Sequence, residues 1–253
     1  MVSFSLEGKI ALVTGASRGI GEAIAAGLSQ YGATCILTSR KSDALEAVVA
    51  RISGEGGKAE AVACNVGKID NIKSLFDHVR EKYGRLDILV NNAATNPYFG
   101  DLLGAEEWAW DKTNDVNLKG PFFMTQFAAK MMKDNGGGGS IVNVASVNAI
   151  SPAPMQGIYS ITKAGVVALT KAFAKELAAY NIRVNALLPG LTATKFSEVI
   201  IANKDIYDFA VSRIPMGRHA TPDEMVGAVL YLASDASSFT TGSCVICDGG
   251  MMA

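Results

Sequence analysis

Short, almost continuous apolar runs alternate along the chain with longer segments whose apolar positions recur at helical spacing. In order they read "KIALVTG", "GIGEAIAAGLSQYG", "TCILTSR", "SDALEAVVARISGEG", "AEAVACNV", "IDNIKSLFDHVREKYG" and "LDILVNNAA". This order predicts parallel strands joined by crossover helices, and strands that are apolar throughout fit a sheet covered on both faces. The rhythm continues through "SIVNVAS", the helix "YSITKAGVVALTKAFAKELAAY" and "IRVNALLPG". Asp70 is expected to N-cap a helix that Gly84 closes. "DNGGGGS", Asp134 to Ser140, predicts a flexible turn before a strand. From Leu191 to Arg213 the pattern loosens, at a place where an open α/β sheet would carry a substrate lid. The closing "SSFTTGSCVICDGGMMA" is expected to supply the last strand.

At 253 residues the length alone fits one large domain or two small ones, and no repeat or Pro-rich linker divides the chain. A formal charge of -1 and a pI near 6.1 give no reason to expect nucleic acid or an anionic membrane as partner. Hydrophobic residues make up 49%, yet no apolar run approaches the roughly 18 residues of a membrane span, so the surplus is assigned to a core and to subunit contacts. "MVSFSLEGKIALVTG" lacks the order of a signal peptide, and the four scattered cysteines suit a reducing compartment; the expectation is a cytoplasmic protein. Cys244 and Cys247 form a CxxC on an apparent strand, where they face opposite sides, so they are expected in the core. With only His78 and His219, no metal site is expected.

The first strand runs into "TGASRGIG", with Gly15, Gly19 and Gly21, and then into a helix. Glycines permit the tight turn and let the backbone approach a pyrophosphate, and the helix start presents free N–H groups to the anion. A purely structural turn is the alternative, but the position at the first strand-to-helix junction favours a dinucleotide. Arg40 follows the second strand, 19 residues after Gly21. An arginine there can take a 2′-phosphate that an aspartate would repel, and Arg18 inside the turn could add a second positive charge. The inferred preference is NADPH over NADH; the competing reading makes Arg40 and Lys41 solvated charges at a strand end.

In "GIYSITKAG", Tyr159 and Lys163 are four apart on a helix, so both leave the same face. A tyrosine with an ordinary pKa of about 10 is a poor acid/base catalyst at neutrality, and a neighbouring ammonium would favour its phenolate. Ser146 could hold a substrate oxygen beside the phenol, and Asn117 could bind water and pass protons to Lys163. Each has a plainer reading: a surface Tyr/Lys pair, a capping serine, a buried asparagine bonded to backbone.

These residues, with "NNAA" (Asn91 to Ala94) and "PGLTAT" (Pro189 to Thr194), follow one another as in the short-chain dehydrogenase/reductase family, and the chain resembles that family over essentially its whole length. The resemblance implies a single-domain α/β fold over residues 1–253, a Rossmann-like doubly wound parallel sheet of seven strands, with a lid at 191–213. It implies Tyr159 as general acid in reduction and base in oxidation, Lys163 on the nicotinamide ribose, Ser146 on the carbonyl and Asn117 in the proton relay. Cofactor contacts carry over to Gly15, Ser17, Arg18, Gly19, Ile20 and Gly21, to Ser39 and Arg40, to Asn65 and Val66 near adenine, to Asn92, Ala93 and Ala94, and to Pro189, Gly190, Thr192 and Thr194, alongside Tyr159 and Lys163. Asn65 replaces a frequent aspartate, and Ala94 the usual glycine of "NNAG". A homotetramer is also implied, and apolar segments such as "FFMTQFAAKMM" are compatible with interface helices.

The pattern is similar to NADP-dependent carbonyl and secondary-alcohol reductases and to 3-oxoacyl-carrier-protein reductases. A reductase of an acidic carrier protein should surround its entrance with basic residues, whereas "DNGGGG" and "ELAAYN" are uncharged or acidic. The expectation is therefore an NADP(H)-dependent enzyme acting on a free small ketone or alcohol. Ala149, Ile150, Met155, Ile158, Phe196 and Val199 suggest an apolar pocket. A dinucleotide-binding regulator without chemistry is the third hypothesis, against which Asn117, Ser146, Tyr159 and Lys163 all stand.

Overall fold

A computed structural model describes residues 2–253. Strand β1 (Ile10–Thr14) lies between β2 (Thr34–Ser39) and β4 (Ile88–Asn91). Beyond them come β3 (Lys58–Ala63) on one side and β5 (Gly139–Val144), β6 (Ile182–Pro189) and β7 (Cys244–Cys247) on the other. All pairings are parallel, and the seven-stranded order is β3-β2-β1-β4-β5-β6-β7. The order reverses between β1 and β4, which opens a crevice beyond the carboxyl ends of the strands, where such sheets bind ligands. This is the single-domain, Rossmann-like α/β fold expected.

Helices α1 (Gly19–Gln30), α2 (Asp43–Gly54) and α9 (Val226–Ala233) cover one face. The other is covered by α3 (Ile69–Tyr83), α5 (Gly120–Asp134) and α6 (Gly157–Leu177). Successive strand residues feed opposite layers: Ala11 and Val13 join the first cluster and Leu12 the second. Phe76 of α3 stacks on Phe127 of α5, with centroids 5.6 Å apart. Among the described residues no helix is long and apolar enough to cross a membrane.

Several local expectations are corrected. Asp70 is not the N-cap: α3 begins at Ile69 after Lys68, and Asp70 lies inside the first turn, where its charge still suits the positive end of the helix. Gly84 does close that helix, in the left-handed region at φ 69°. Cys244 and Cys247 are only partly buried, because β7 is a sheet edge and much shorter than the predicted segment. The glycine turn is more constrained than flexible: Gly138 takes φ 69°, and a side chain there would collide with the Asn181 carbonyl. The 191–213 segment contains two short helices, α7 (Glu198–Ala202) and α8 (Lys204–Ser212), neither with a buried residue. Between α4 (Glu107–Asn114) and α5 the chain forms a π-helical turn over Asp115–Lys119.

Candidate active site

The glycine turn is built by close approach. Gly15 takes φ 67°, and its N–H donates to the Thr38 carbonyl at 2.7 Å. A Cβ on Gly15 would lie 2.8 Å from the Ala93 Cα, and one on Gly21 would collide with the Gly15 carbonyl and the Asn92 amide. No side chain caps α1 at Arg18, so its first N–H groups face the cradle. The cradle thus fits a dinucleotide pyrophosphate, with Ser17, Gly19 and Ile20 on its rim. Arg18 and Arg40 are exposed, and neither forms an ion pair among the described residues, whereas Arg51 pairs with Glu22 at 2.9 Å. Arg40 lies just past the end of β2, and Ser39 donates to the Lys41 carbonyl.

Two of the residues proposed to line the dinucleotide have prior engagements. The Asn92 amide donates to the Thr14 carbonyl at 2.9 Å and the Gly15 carbonyl at 3.2 Å, so its side chain braces the cradle. Asn65 accepts the Gly67 N–H at 3.1 Å and shapes the turn after β3, with Val66 buried beside it. Ala93 abuts Gly15, and Ala94 is exposed without a positive φ, so its methyl strains nothing. At the far end, Pro189 closes β6 and Gly190 lies against Asp248. Thr192 is buried, and the Thr194 methyl rests on Gly19.

Tyr159 and Lys163 are both buried on one face of α6, with the ammonium 5.6 Å from the ring centroid. Lys163 donates to the Val144 carbonyl at 2.7 Å, which fixes it beneath the site. Burial brings the Lys163 ammonium down to about 7. Burial also pushes the Tyr159 phenol up to about 12, while the Ser146 hydroxyl beside it pulls the other way. Without a cofactor, burial outweighs the Ser146 hydroxyl and keeps the phenol protonated at neutrality. Ser146 lies just past β5 and also accepts the Asn148 N–H at 3.1 Å, so it serves as cap and site residue together.

Asn117 sits fully buried in the π-helical turn. Its oxygen accepts the Thr95 N–H at 2.8 Å, and its amide donates to the Thr95 carbonyl at 2.9 Å and the Thr162 hydroxyl at 3.2 Å. Thr162 in turn donates to the Tyr159 carbonyl at 2.7 Å. The Asn117 side chain is thus committed to positioning, so a proton relay through this residue would have to use its main-chain carbonyl.

Sequence reasoning missed Thr14, Thr95, Thr162 and Ser197. The Thr14 hydroxyl accepts the N–H groups of Asn92 and Ala93 at 2.9 and 3.0 Å. Ser197 accepts the Thr194 N–H at 3.0 Å and donates to the carbonyls of Thr192 and Thr194. The first three stand inside or beside motifs already noted, but nothing in their spacing distinguishes a buried hydroxyl that ties loops.

A family model described as enoyl-(acyl carrier protein) reductase matches residues 15–252. Human dehydrogenase/reductase SDR family member 4 is 40% identical over 245 residues, covering 97% of this chain and 88% of that protein. The chain belongs to the short-chain dehydrogenase/reductase family. The 3-oxoacyl-[acyl-carrier-protein] reductase FabG of Thermotoga maritima is 43% identical over 248 residues, covering 98% of this chain and 99% of that protein. A solved gluconate 5-dehydrogenase from Burkholderia cenocepacia, in complex with NADP and tartrate, superposes with a TM-score of 0.95 at 33% identity, covering 99% of this chain and 97% of that one. Membership makes this short-chain dehydrogenase/reductase an oxidoreductase that uses a nicotinamide dinucleotide.

Proposed function

We propose that this oxidoreductase is an NADPH-dependent carbonyl reductase, reversible as a secondary-alcohol dehydrogenase, acting on a free small ketone. The observation that carries the reading is the buried Tyr159 phenol, held protonated beside Ser146 at the carboxyl end of β5. A phenol kept neutral at pH 7 is ready to donate a proton, which is what carbonyl reduction asks of it. When bound, the nicotinamide supplies the hydride. The remaining work belongs to the chain: Ser146 donates to the carbonyl oxygen and orients it, Tyr159 delivers the proton to that oxygen, and Lys163 sits beneath them on the Val144 carbonyl. In the alcohol-to-ketone direction Tyr159 takes the proton back.

The unpaired Arg18, in the glycine turn, and Arg40, just past β2, support NADPH, since each can bond a 2′-phosphate. Initial rates with an activated aryl ketone and saturating NADPH or NADH test this, and the expected result is a strong NADPH preference. The FabG relative favours a second reading, 3-oxoacyl-carrier-protein reduction. It would prevail if a carrier-bound acyl group were reduced far better than the matching small ketone. Exposed Trp108, Trp110 and Phe122 on α4 and α5 support the proposed homotetramer, which light scattering checks; a monomer mass would sink it. The proposed setting is the cytoplasm, and fractionation of expressing cells would test it.

A further inference from the structure

Phe196 is an exposed aromatic held in a fixed place. Its ring lies 5.2 Å from the Tyr159 ring at an angle of 44°. The two differ sharply in exposure, 8% for Tyr159 against 46% for Phe196, so Phe196 stands between the phenol and solvent. Its backbone is pinned by the next residue: buried Ser197 bonds to the main chain of both Thr192 and Thr194. Helices α7 and α8 beyond this knot have no buried residue, so they can shift while the Phe196 backbone stays anchored to the core.

On the segment that leads into α6, four residues before Tyr159, Met155 is 45% exposed and takes φ 65°, a left-handed conformation uncommon for a side-chain-bearing residue. The Gly100 N–H donates to the Met155 carbonyl at 3.0 Å and helps hold it there. Exposed Ile150 ends the short turn that Ser146 caps. The Asn148 amide donates to the Gln156 side-chain oxygen at 3.4 Å. The exposed side chains that the chain places close to Ser146 and Tyr159 are thus apolar at Ile150 and Met155.

We infer that Phe196 is a specificity-determining residue: its ring forms the ceiling of the acceptor site over Tyr159 and selects carbonyl compounds with a flat aromatic substituent. This rests on the carbonyl-reductase reading. A tilted ring with one side open accepts a second ring in offset or edge contact, and a rigid base means little ordering is needed on binding.

The test compares ethyl benzoylformate with ethyl pyruvate, which differ in a phenyl against a methyl group beside the same reacting carbonyl. In wild type the phenyl ester should have the lower KM. Phe196→Ala should lower kcat/KM for ethyl benzoylformate about tenfold, mostly through KM, and leave ethyl pyruvate within about twofold. Phe196→Tyr should restore the preference. Equal loss on both esters, or no loss on either, overturns the inference. Calorimetry with ethyl mandelate, the product alcohol, on protein loaded with NADPH, a pair that cannot exchange a hydride, reads the same contact without turnover. About tenfold tighter binding to wild type than to Phe196→Ala supports the ceiling, and equal binding overturns it. Failure of wild type to reduce either ester, with that binding difference intact, would overturn the reductase reading alone.

Discussion

The Asn117 side chain is bonded to the Thr95 backbone from both sides, accepting its N–H at 2.8 Å and donating to its carbonyl at 2.9 Å. A partly buried main-chain pair satisfied by one side chain loses both partners when that side chain goes. Asn117→Ala should therefore cost roughly 2–4 kcal/mol, lower Tm and reduce activity, because Thr162 and the Tyr159 backbone hang on the same bonds. Asn117→Asp should behave almost as badly, since it keeps the acceptor but turns an acceptor toward the Thr95 carbonyl. Thermal unfolding alongside ketone reduction checks both; an unchanged Tm for Asn117→Ala would contradict the positioning role.

The phenol, pushed up to about 12 by burial, sets the pH behaviour. An acid with a raised pKa stays protonated through neutrality, so the phenol itself should impose no loss of ketone reduction from about pH 6 to 9, and any step near pH 7 reports Lys163. Alcohol oxidation needs the phenolate and should rise with pH over the same range. Tyr159→Phe should lower both rates by at least about 10² to 10⁴ with little change in Tm. A Tyr159 phenol seen to ionise near pH 8 by ultraviolet difference absorbance against Tyr159→Phe would show that its neighbours outweigh burial.

Arg40→Ala removes a cation that has no carboxylate partner of its own among the described residues, so no internal ion pair is lost. A charge-assisted bond to a phosphate is worth about 1.5–3 kcal/mol, which corresponds to roughly a 10- to 100-fold rise in the NADPH KM. The NADH KM should stay within about twofold. Equal effects on both cofactors would make Arg40 an ordinary surface charge.

On the edge strand β3, Glu60 holds helix α3 through His78 at 2.8 Å, Lys82 at 2.9 Å and Tyr83. Burial pushes this carboxyl up, but bonds from Tyr83, Lys82 and His78 more than offset it and hold the group below its usual range. A depressed carboxylate contributes stability above its unfolded pKa of about 4.3 and loses it as pH falls through the folded value. Glu60→Gln should thus destabilise by roughly 1 kcal/mol at pH 7, discounted for solvent screening, and by progressively less below about pH 4. Urea unfolding at both pH values measures the difference.

The strand and helix alternation was legible because each apolar run is short and each crossover helix carries its own 3.6-residue stripe, as in Ile72, Leu75, Phe76 and Val79 of α3. That Tyr159 and Lys163 share one face of α6 was legible for the same reason, since four residues on a helix fix a common face. The π-helical turn at Asp115–Lys119 was not, because its extra residue breaks the period that a sequence reader follows. Nor was the Tyr159 environment: how far a phenol is desolvated depends on residues brought in from elsewhere, such as Phe196 and Ser146, not on its chain neighbours. The exposure of Cys244 was misjudged because an edge strand and a central strand look alike in isolation.

The Thr14 hydroxyl gathers the N–H groups of Asn92 and Ala93, while the Asn92 amide reaches back to Thr14 and Gly15. The loop after β4 and the turn after β1 are thereby stapled into one floor. The entropic cost of ordering that floor is borne when the chain folds, not when a dinucleotide arrives. A receptor stiffened in advance in this way should show little change in amide hydrogen exchange across residues 12–16 and 90–93 on loading, with the ordering confined to the helices beyond Ser197.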